Sequence, residues 1–425
     1  MAAGVFRTLR YRGFRLLFLG NIVSLVGSQI QFVALSWLVY RLTGSAAMLG
    51  LVSLISRSPS FFISPLAGVL ADRTDRRKAF FVIQALAMLQ SAALAVLVLC
   101  GWIQVWHLFV LGFFLGVVNA FEVPVRHALV YDLVEDKADL SNALALNTTM
   151  IYGSAFLGPL AAGPLIALIG EGPCFTINAV SFLVVLACVV AMPPAARQES
   201  HGKARRAALS GAGALREGFR YLAGHAPLRS LLVTLFLLSL MGFPYQVLMP
   251  VFAKEVLHGG PRQLGLLSAA SGCGALAGCL YLASRRGFEG LERRLAFAAT
   301  LFGVSLFGFS QARVPWVSML FLAPAGMGLS MVVTGCQTLM QGLVEDQVRG
   351  RVLSFYTMAF MGTTPFGGAA YGFAAQRLGA PMTAMIGGLA CAAVGATFWL
   401  RLPGWRAQAR PILEAKASLA AASKA

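Results

Sequence analysis

The sequence predicts an all-α membrane protein with twelve transmembrane helices arranged as two pseudo-symmetric six-helix bundles. Three observations lead there. The 425-residue chain is 58% hydrophobic and only 12% charged, whereas a soluble domain carries roughly 25% charged residues. That leaves too little polar surface to face water, so lipid is the natural solvent. Apolar runs of membrane-spanning length recur twelve times along the chain. Short segments of the first half also recur in the second at a nearly constant offset.

A helix crosses a hydrocarbon core with about 20 mostly apolar residues. That ruler puts spans at 16–40, 46–70, 79–100, 106–130, 142–169 and 173–192, then at 228–252, 263–284, 294–311, 315–341, 351–377 and 380–401. The expected units are an N-terminal bundle (1–192), a basic linker (193–225), a C-terminal bundle (226–403) and a tail (404–425). The first apolar run follows Arg7, Arg10, Arg12 and Arg15 and is too long for the core of a cleaved signal, so it reads as the first anchor.

The net charge of +18 is not a nucleic-acid signal, because the basic residues sit in short clusters between apolar runs. Of the 34 Lys and Arg, 27 fall on the side of the termini. Five (Arg41, Lys254, Arg262, Arg313, Arg377) fall on the other, and Arg57 and Arg126 lie inside spans. By the positive-inside rule both termini are cytoplasmic, which in a bacterial cell means the inner membrane.

The linker carries Arg197, Lys203, Arg205, Arg206, Arg216 and Arg220 around an amphipathic piece at 215–222. It reads equally as a leaflet-bound helix or a solvated connection. The tail beyond Pro403 is short, Ala-rich and basic, and is expected to fray. The seven cysteines are scattered singly through apolar segments. They read as small core residues, with no metal-ligand spacing and no disulfide framework.

The internal repeat is short but well placed. Leu133-Val134-Glu135-Asp136 returns as Leu343-Val344-Glu345-Asp346, and Leu49-Gly50-Leu51-Val52-Ser53 as Leu264-Gly265-Leu266-Leu267-Ser268. Both pairs occupy equivalent helix positions. Parallel six-helix repeats are the architecture of carriers whose substrate site lies between rocking halves.

After the second span the chain reads Gly68-Val69-Leu70-Ala71-Asp72-Arg73-Thr74-Asp75-Arg76-Arg77-Lys78. This resembles the G-x-L-A-D-R-x-G-R-R/K signature of the major facilitator superfamily, with Asp75 where glycine is usual. The resemblance implies that Gly68, Asp72, Arg73, Arg76 and Arg77 form a cytoplasmic gating cluster that latches the halves in the outward-facing state. In physical terms, Gly68 permits close helix approach, Asp72 can cap a helix N-terminus, and the arginines can pair with rim carboxylates. The equivalent second-half loop, Ala283-Ser284-Arg285-Arg286, has no acid.

Asn119-Ala120-Phe121-Glu122-Val123-Pro124-Val125-Arg126-His127-Ala128-Leu129 looks like the fourth helix of the enterobactin-exporter and macrolide-efflux branch. Arg349-Gly350-Arg351-Val352-Leu353-Ser354 with Pro365-Phe366-Gly367-Gly368 looks like that branch's eleventh. Gly158, Pro159 and Gly163 partly match the antiporter motif g-x-x-x-G-P-x-x-G-G, with Ser154 and Ala162 replacing two glycines. The fourth-helix arginine of proton antiporters is missing from Leu111-Gly112-Phe113-Phe114-Leu115-Gly116.

Ionisable groups inside a span are costly and mark function by default. At 1.5 Å per residue Arg57 lies roughly 15 Å into the second span, and Glu122 about 10 Å from the cytoplasmic boundary of the fourth. Arg126, one turn on, is expected to snorkel outward. Asn119, Glu122 and Arg126 share one helix face. Glu122 reads either as a proton-coupling carboxylate or as an i, i+4 ion-pair partner of Arg126. Arg57 has no acid on its own helix and is open to an anionic substrate, to Glu122 or to carbonyls of a facing helix.

Polar stripes add cavity candidates: Asn21, Ser24, Ser28 and Gln31 in the first span, Thr334, Gln337 and Gln341 in the tenth, with Tyr245, Gln246 and Tyr356. Each is equally open to helix-to-helix hydrogen bonding. No phosphate-binding G-x-x-x-x-G-K-[ST] occurs, and nothing suggests an enzyme, a cofactor, a metal or a nucleic-acid partner. The resemblance implies a monomeric exporter of a small organic molecule, siderophore or drug-like, working by proton antiport. Uptake or lysophospholipid flipping on the same fold is the alternative, and a non-transporting sensor or enzyme the remote one.

Overall fold

The computed structural model describes residues 7–71, 74–134, 136, 139–193, 211–285, 290–345 and 348–422, with side chains except at 64–71, 141, 211–216, 410 and 412–422. Asp72 and Arg73 lie outside the described residues, as does any side-chain environment at Gly68.

A short 3-10 turn, Arg7–Arg10, precedes the first half. Its six passes are Arg12–Thr43, Ala46–Ala71, Arg76–Leu99, Val105–Leu133, Leu140–Ile169 and Glu171–Ala191. After a linker helix, Gly211–Gly224, the seventh pass runs Ala226–Val256 and the eighth Pro261–Ala283. The ninth is Leu291–Gln311 and the tenth Pro315–Leu343. The eleventh joins Arg349–Thr357 to Thr364–Leu378, and the last helix is Ala380–Ala422. Hydrocarbon supplies no hydrogen-bond partner, so backbone polar groups must be satisfied within each helix. Among the described residues, ten passes are long and apolar enough by themselves to cross a membrane. The ninth opens on charged Glu292, Arg293 and Arg294, and the eleventh is interrupted.

Two passes expected to be continuous are broken. The seventh changes to a 3-10 segment at Phe243–Leu248 and ends in a π-turn at Phe252–Val256. The eleventh has a π-turn at Met358–Gly362. Pro244, Pro250 and Pro365 stand at these breaks; proline removes a backbone donor and crowds the preceding turn, so the hydrogen-bond ladder re-registers.

The tail departs from the expected frayed end. The last helix continues through Pro403, and Trp405 is buried, its indole donating to the Pro227 carbonyl at 3.1 Å. Arg406 pairs with Glu292 at 2.6 Å, and Ala409 is buried. The linker helix is not wholly solvated. It packs on the start of the eleventh pass, with Leu222 buried, Glu217 paired to Arg351, and Phe219 6.4 Å from the Phe355 ring.

The two halves repeat one packing pattern. Passes 2 and 4, 3 and 6, and 3 and 4 adjoin in the first half, as do 8 and 10, 9 and 12, and 9 and 10 in the second. Between halves, the principal seams join pass 2 to pass 11 and pass 5 to pass 8. Glycine makes these seams close. A Cβ at Gly50 would lie 2.7 Å from the Gly368 carbonyl oxygen, and one at Gly265 2.6 Å from the Pro159 carbonyl oxygen.

The close contacts reach from mid-depth, where a Cβ at Gly272 would lie 2.1 Å from the Ala155 carbonyl oxygen, to the face opposite the termini, the loop face. There Tyr40 donates to Glu255 across the halves, Lys254 lies 5.5 Å from the Tyr40 ring, and Ser45 donates to Gln376 at 3.0 Å. On the termini face the described ion pairs of passes 1–6 stay within that half: Arg10 with Asp139, and Arg76 with Asp132.

Gly50→Val should overpack the seam at a cost of about 1–3 kcal/mol and part the loop face. A Ser45→Cys/Gln376→Cys pair should cross-link readily in the wild-type background and several-fold less with Gly50→Val. Equal cross-linking would show that the glycine contact does not hold this face shut.

Candidate central cavity

The fourth pass has two accessible sides. Trp106, Val110 and Phe113 are exposed apolar side chains on one. Asn119 is exposed, and Glu122 half-buried, on the other, about half a turn round at 3.6 residues per turn. The first side suits lipid and the second a polar interior space.

On that inner side the Nε of Arg126 lies 3.0 Å from Oε1 of Glu122, with side chains 7% and 20% accessible. Arg126 Nη1 also points to Asn147 Oδ1 of the fifth pass at 3.5 Å. Arg126 therefore does not snorkel outward as expected: the Glu122 carboxylate offsets its charge and the Asn147 amide oxygen accepts from Nη1, while the buried Nε makes no hydrogen bond. The pair locks Glu122 beside a cation in this conformation.

Arg57, in the second pass, lies 5.8 Å from the centroid of Phe32. Among the described residues it has neither an ion pair nor a hydrogen bond, and its side chain is partly accessible. Of the partners open to it, Glu122 is taken by Arg126.

The first-pass stripe divides. Gln31 donates to Gln90 at 3.0 Å and accepts from Asn178 at 2.9 Å, and Asn178 reaches Ser91 at 3.1 Å. Gln31 thus ties passes 1, 3 and 6 together inside the first half rather than facing the space between halves. Asn21 and Ser24 are buried, and Ser28 is half-buried.

In the second half Tyr245 is fully buried against Ser271 (2.6 Å), and the Tyr356 hydroxyl donates to the Val333 carbonyl at 3.0 Å. Both hydroxyls are committed to packing. Gln246 and Thr334 are half-buried and Gln337 is exposed. Tyr152 of the fifth pass approaches Thr334 across the halves.

The basic loop after pass 2 braces its own half. Arg76 pairs with Asp132. Arg77 donates to the Val189 and Val190 carbonyls at 2.9 and 2.8 Å, where the sixth pass ends and its dipole is negative. Asp75, the departure from the usual glycine, accepts from the Arg77 and Lys78 amides at 3.0 and 3.2 Å and so caps the third pass. In the fifth pass, Gly158 packs on Gln29 and Val26 of the first, Pro159 is buried, and Gly163 meets Arg262 and Gly265 of the eighth.

Phe32, Tyr152, Asn147 and the Tyr40–Glu255 contact were not among the sequence candidates. An aromatic ring in an apolar run carries no signal. Asn147, Gln90 and Asn178 carry one, as polar groups inside spans.

The comparisons with known proteins agree with this architecture. The family model described as "Transmembrane secretion effector" matches residues 3–422. The staphyloferrin A transporter of Staphylococcus aureus is 25% identical, over 90% of this chain and 93% of its own length. Macrolide efflux protein A of Streptococcus pyogenes is 25% identical, over 85% and 88%. Multidrug resistance protein MdtG of Escherichia fergusonii is 28% identical, over 77% and 80%. Among solved structures, the nucleoside transporter NupG (D323A mutant) has a TM-score of 0.68 at 12% identity, covering 92% of this chain and 99% of that one. The human organic anion transporter MFSD10 has a TM-score of 0.64 at 16% identity, covering 91% and 99%.

Removing one member of the buried pair strands the other. Glu122→Gln should destabilise the protein by about 3 kcal/mol or more, and adding Arg126→Gln should restore part of that loss. Thermal unfolding in detergent of the two single variants and the double variant would check it. A Glu122→Gln protein as stable as wild type would mean that the pair contributes nothing.

Proposed function

We propose a function for this chain from one premise: it belongs to the transmembrane secretion effector family of major facilitator transporters. It is therefore a multi-pass membrane transporter with a small-molecule substrate. We infer that it exports a siderophore or drug-like organic molecule by proton antiport, as a monomer, with both termini cytoplasmic in the inner membrane. The observation that carries this reading is the Glu122–Arg126 pair on the inner side of pass 4, beneath a sealed loop face.

With the termini cytoplasmic, the sealed face is periplasmic and the conformation is inward-facing. Substrate enters from the cytoplasm. The halves then rock, the Gly50–Gly368 and Gly163–Gly265 contacts part, and the cavity opens outward. There Glu122 takes a proton from the periplasm, which frees Arg126 from its counter-charge. On return the proton leaves to the cytoplasm and the ion pair closes again. One proton moves inward for each outward trip, so the gradient drives export. The names of the relatives, a staphyloferrin A transporter, a macrolide efflux protein and a multidrug resistance protein, support the substrate class, and the efflux protein's name supports the direction.

Everted membrane vesicles test this with radiolabelled erythromycin and staphyloferrin A as probes. An imposed inside-acid gradient should concentrate one probe by up to about tenfold per pH unit for one-proton exchange. The Glu122→Gln/Arg126→Gln variant, which strands no charge, should exchange the probe without responding to the gradient. Accumulation that ignores a protonophore would exclude proton coupling, and none of either probe would remove both as substrates.

A further inference from the structure

Among the described charges deep in the passes, Arg57 stands without an opposite charge beside it. Glu122 offsets Arg126; nearer the faces Asp132 offsets Arg76 and Glu171 offsets Arg41. Arg57 has no such partner, and a guanidinium deep in a membrane protein is costly unless a counter-charge visits it. The Phe32 ring at 5.8 Å compensates part of that cost through its π face.

Phe32 itself gives a second, independent indication. It is 40% exposed; of the other exposed apolar residues of its helix, Leu19 and Val23 are on its other side and Leu42 lies at the loop end. From Val23 to Phe32 is nine residues, about two and a half turns, so the exposed Phe32 ring faces away from the lipid side. A cation and an open aromatic face thus meet in the space between the halves, roughly mid-membrane.

We propose that Arg57 and Phe32 form the substrate anchor and that the transported molecule is an organic anion, its carboxylate docking on Arg57 and its apolar part lying on Phe32. The planar guanidinium presents two parallel N–H donors that match the two oxygens of a carboxylate. The same unmatched positive charge repels cationic amphiphiles, so the cavity discriminates by sign before shape. The inference rests on the transport reading for its physiological meaning, but the binding preference is measurable without transport.

Three probes of one shape isolate the charge: 2-naphthoate, neutral 2-naphthamide and 2-naphthylmethylammonium, bound at equilibrium to the purified full-length protein in detergent. Wild type should prefer the anion over the amide by about tenfold or more and bind the cation most weakly. Arg57→Gln should lose the anion preference while keeping its affinity for the amide, and Arg57→Lys should keep part of the preference. Phe32→Leu should weaken naphthoate and naphthamide alike, several-fold. Retained amide binding and a monodisperse elution profile report that each variant is folded.

Equal binding of anion and amide by wild type, including no detectable binding of either to the solubility limit, overturns the proposal. So does an undiminished anion preference in Arg57→Gln. An Arg57-dependent preference in a protein that fails to export in everted vesicles would leave the anchor standing and remove the export reading alone.

Discussion

Hydrocarbon offers no hydrogen bonds, and that single constraint organises the molecule. It compels helical passes, and it makes a polar side chain inside the membrane costly unless a partner is found there. Gln31, Gln90, Asn178 and Ser91 hydrogen-bond to one another across three passes, with the Gln90 Nε2 left over. Tyr245 and Ser271 do the same across two. Glu122 and Arg126 neutralise each other. Against that background of paired groups, the lone guanidinium of Arg57 becomes informative. In water it would mean nothing.

The same constraint explains how the halves can separate. Their seams at the loop face are built from glycine and backbone contacts, which hold by close packing and leave few polar groups stranded when they part. The polar links across that face, Tyr40 to Glu255 and Ser45 to Gln376, lie at pass ends where water can replace them. The termini face is braced differently. Arg76, Arg77 and Asp75 tie passes 3, 4 and 6 into one unit, which can move as a body.

Much of this was legible from the residues. The twelve passes follow from the apolar runs, and the matched packing of the halves agrees with the Leu-Val-Glu-Asp and Leu-Gly-Leu repeats. The share of the candidate site that was legible is smaller, for a physical reason. A polar stripe facing the centre of its own bundle has the same spacing as one facing the cavity, so Gln31 was indistinguishable from a cavity residue until passes 3 and 6 were seen against it. Tyr356 was ambiguous in the same way. Phe32 was silent because a phenylalanine in an apolar run fits lipid, core and cavity equally. The docked tail turned on Trp405 finding the Pro227 carbonyl, a contact 178 residues away in sequence.

The central claim is that the loop face and the termini face open in alternation about the cavity holding Arg57 and Glu122. Spin-label distances measure this directly, with Leu42→Cys/Leu378→Cys across the loop face and Tyr131→Cys/Gly350→Cys across the termini face, all at exposed positions. The account predicts opposite changes when the reconstituted protein is shifted from neutral to acid pH: the loop-face distance lengthens as the termini-face distance shortens. Two distances that stay fixed, or that lengthen together, would contradict it.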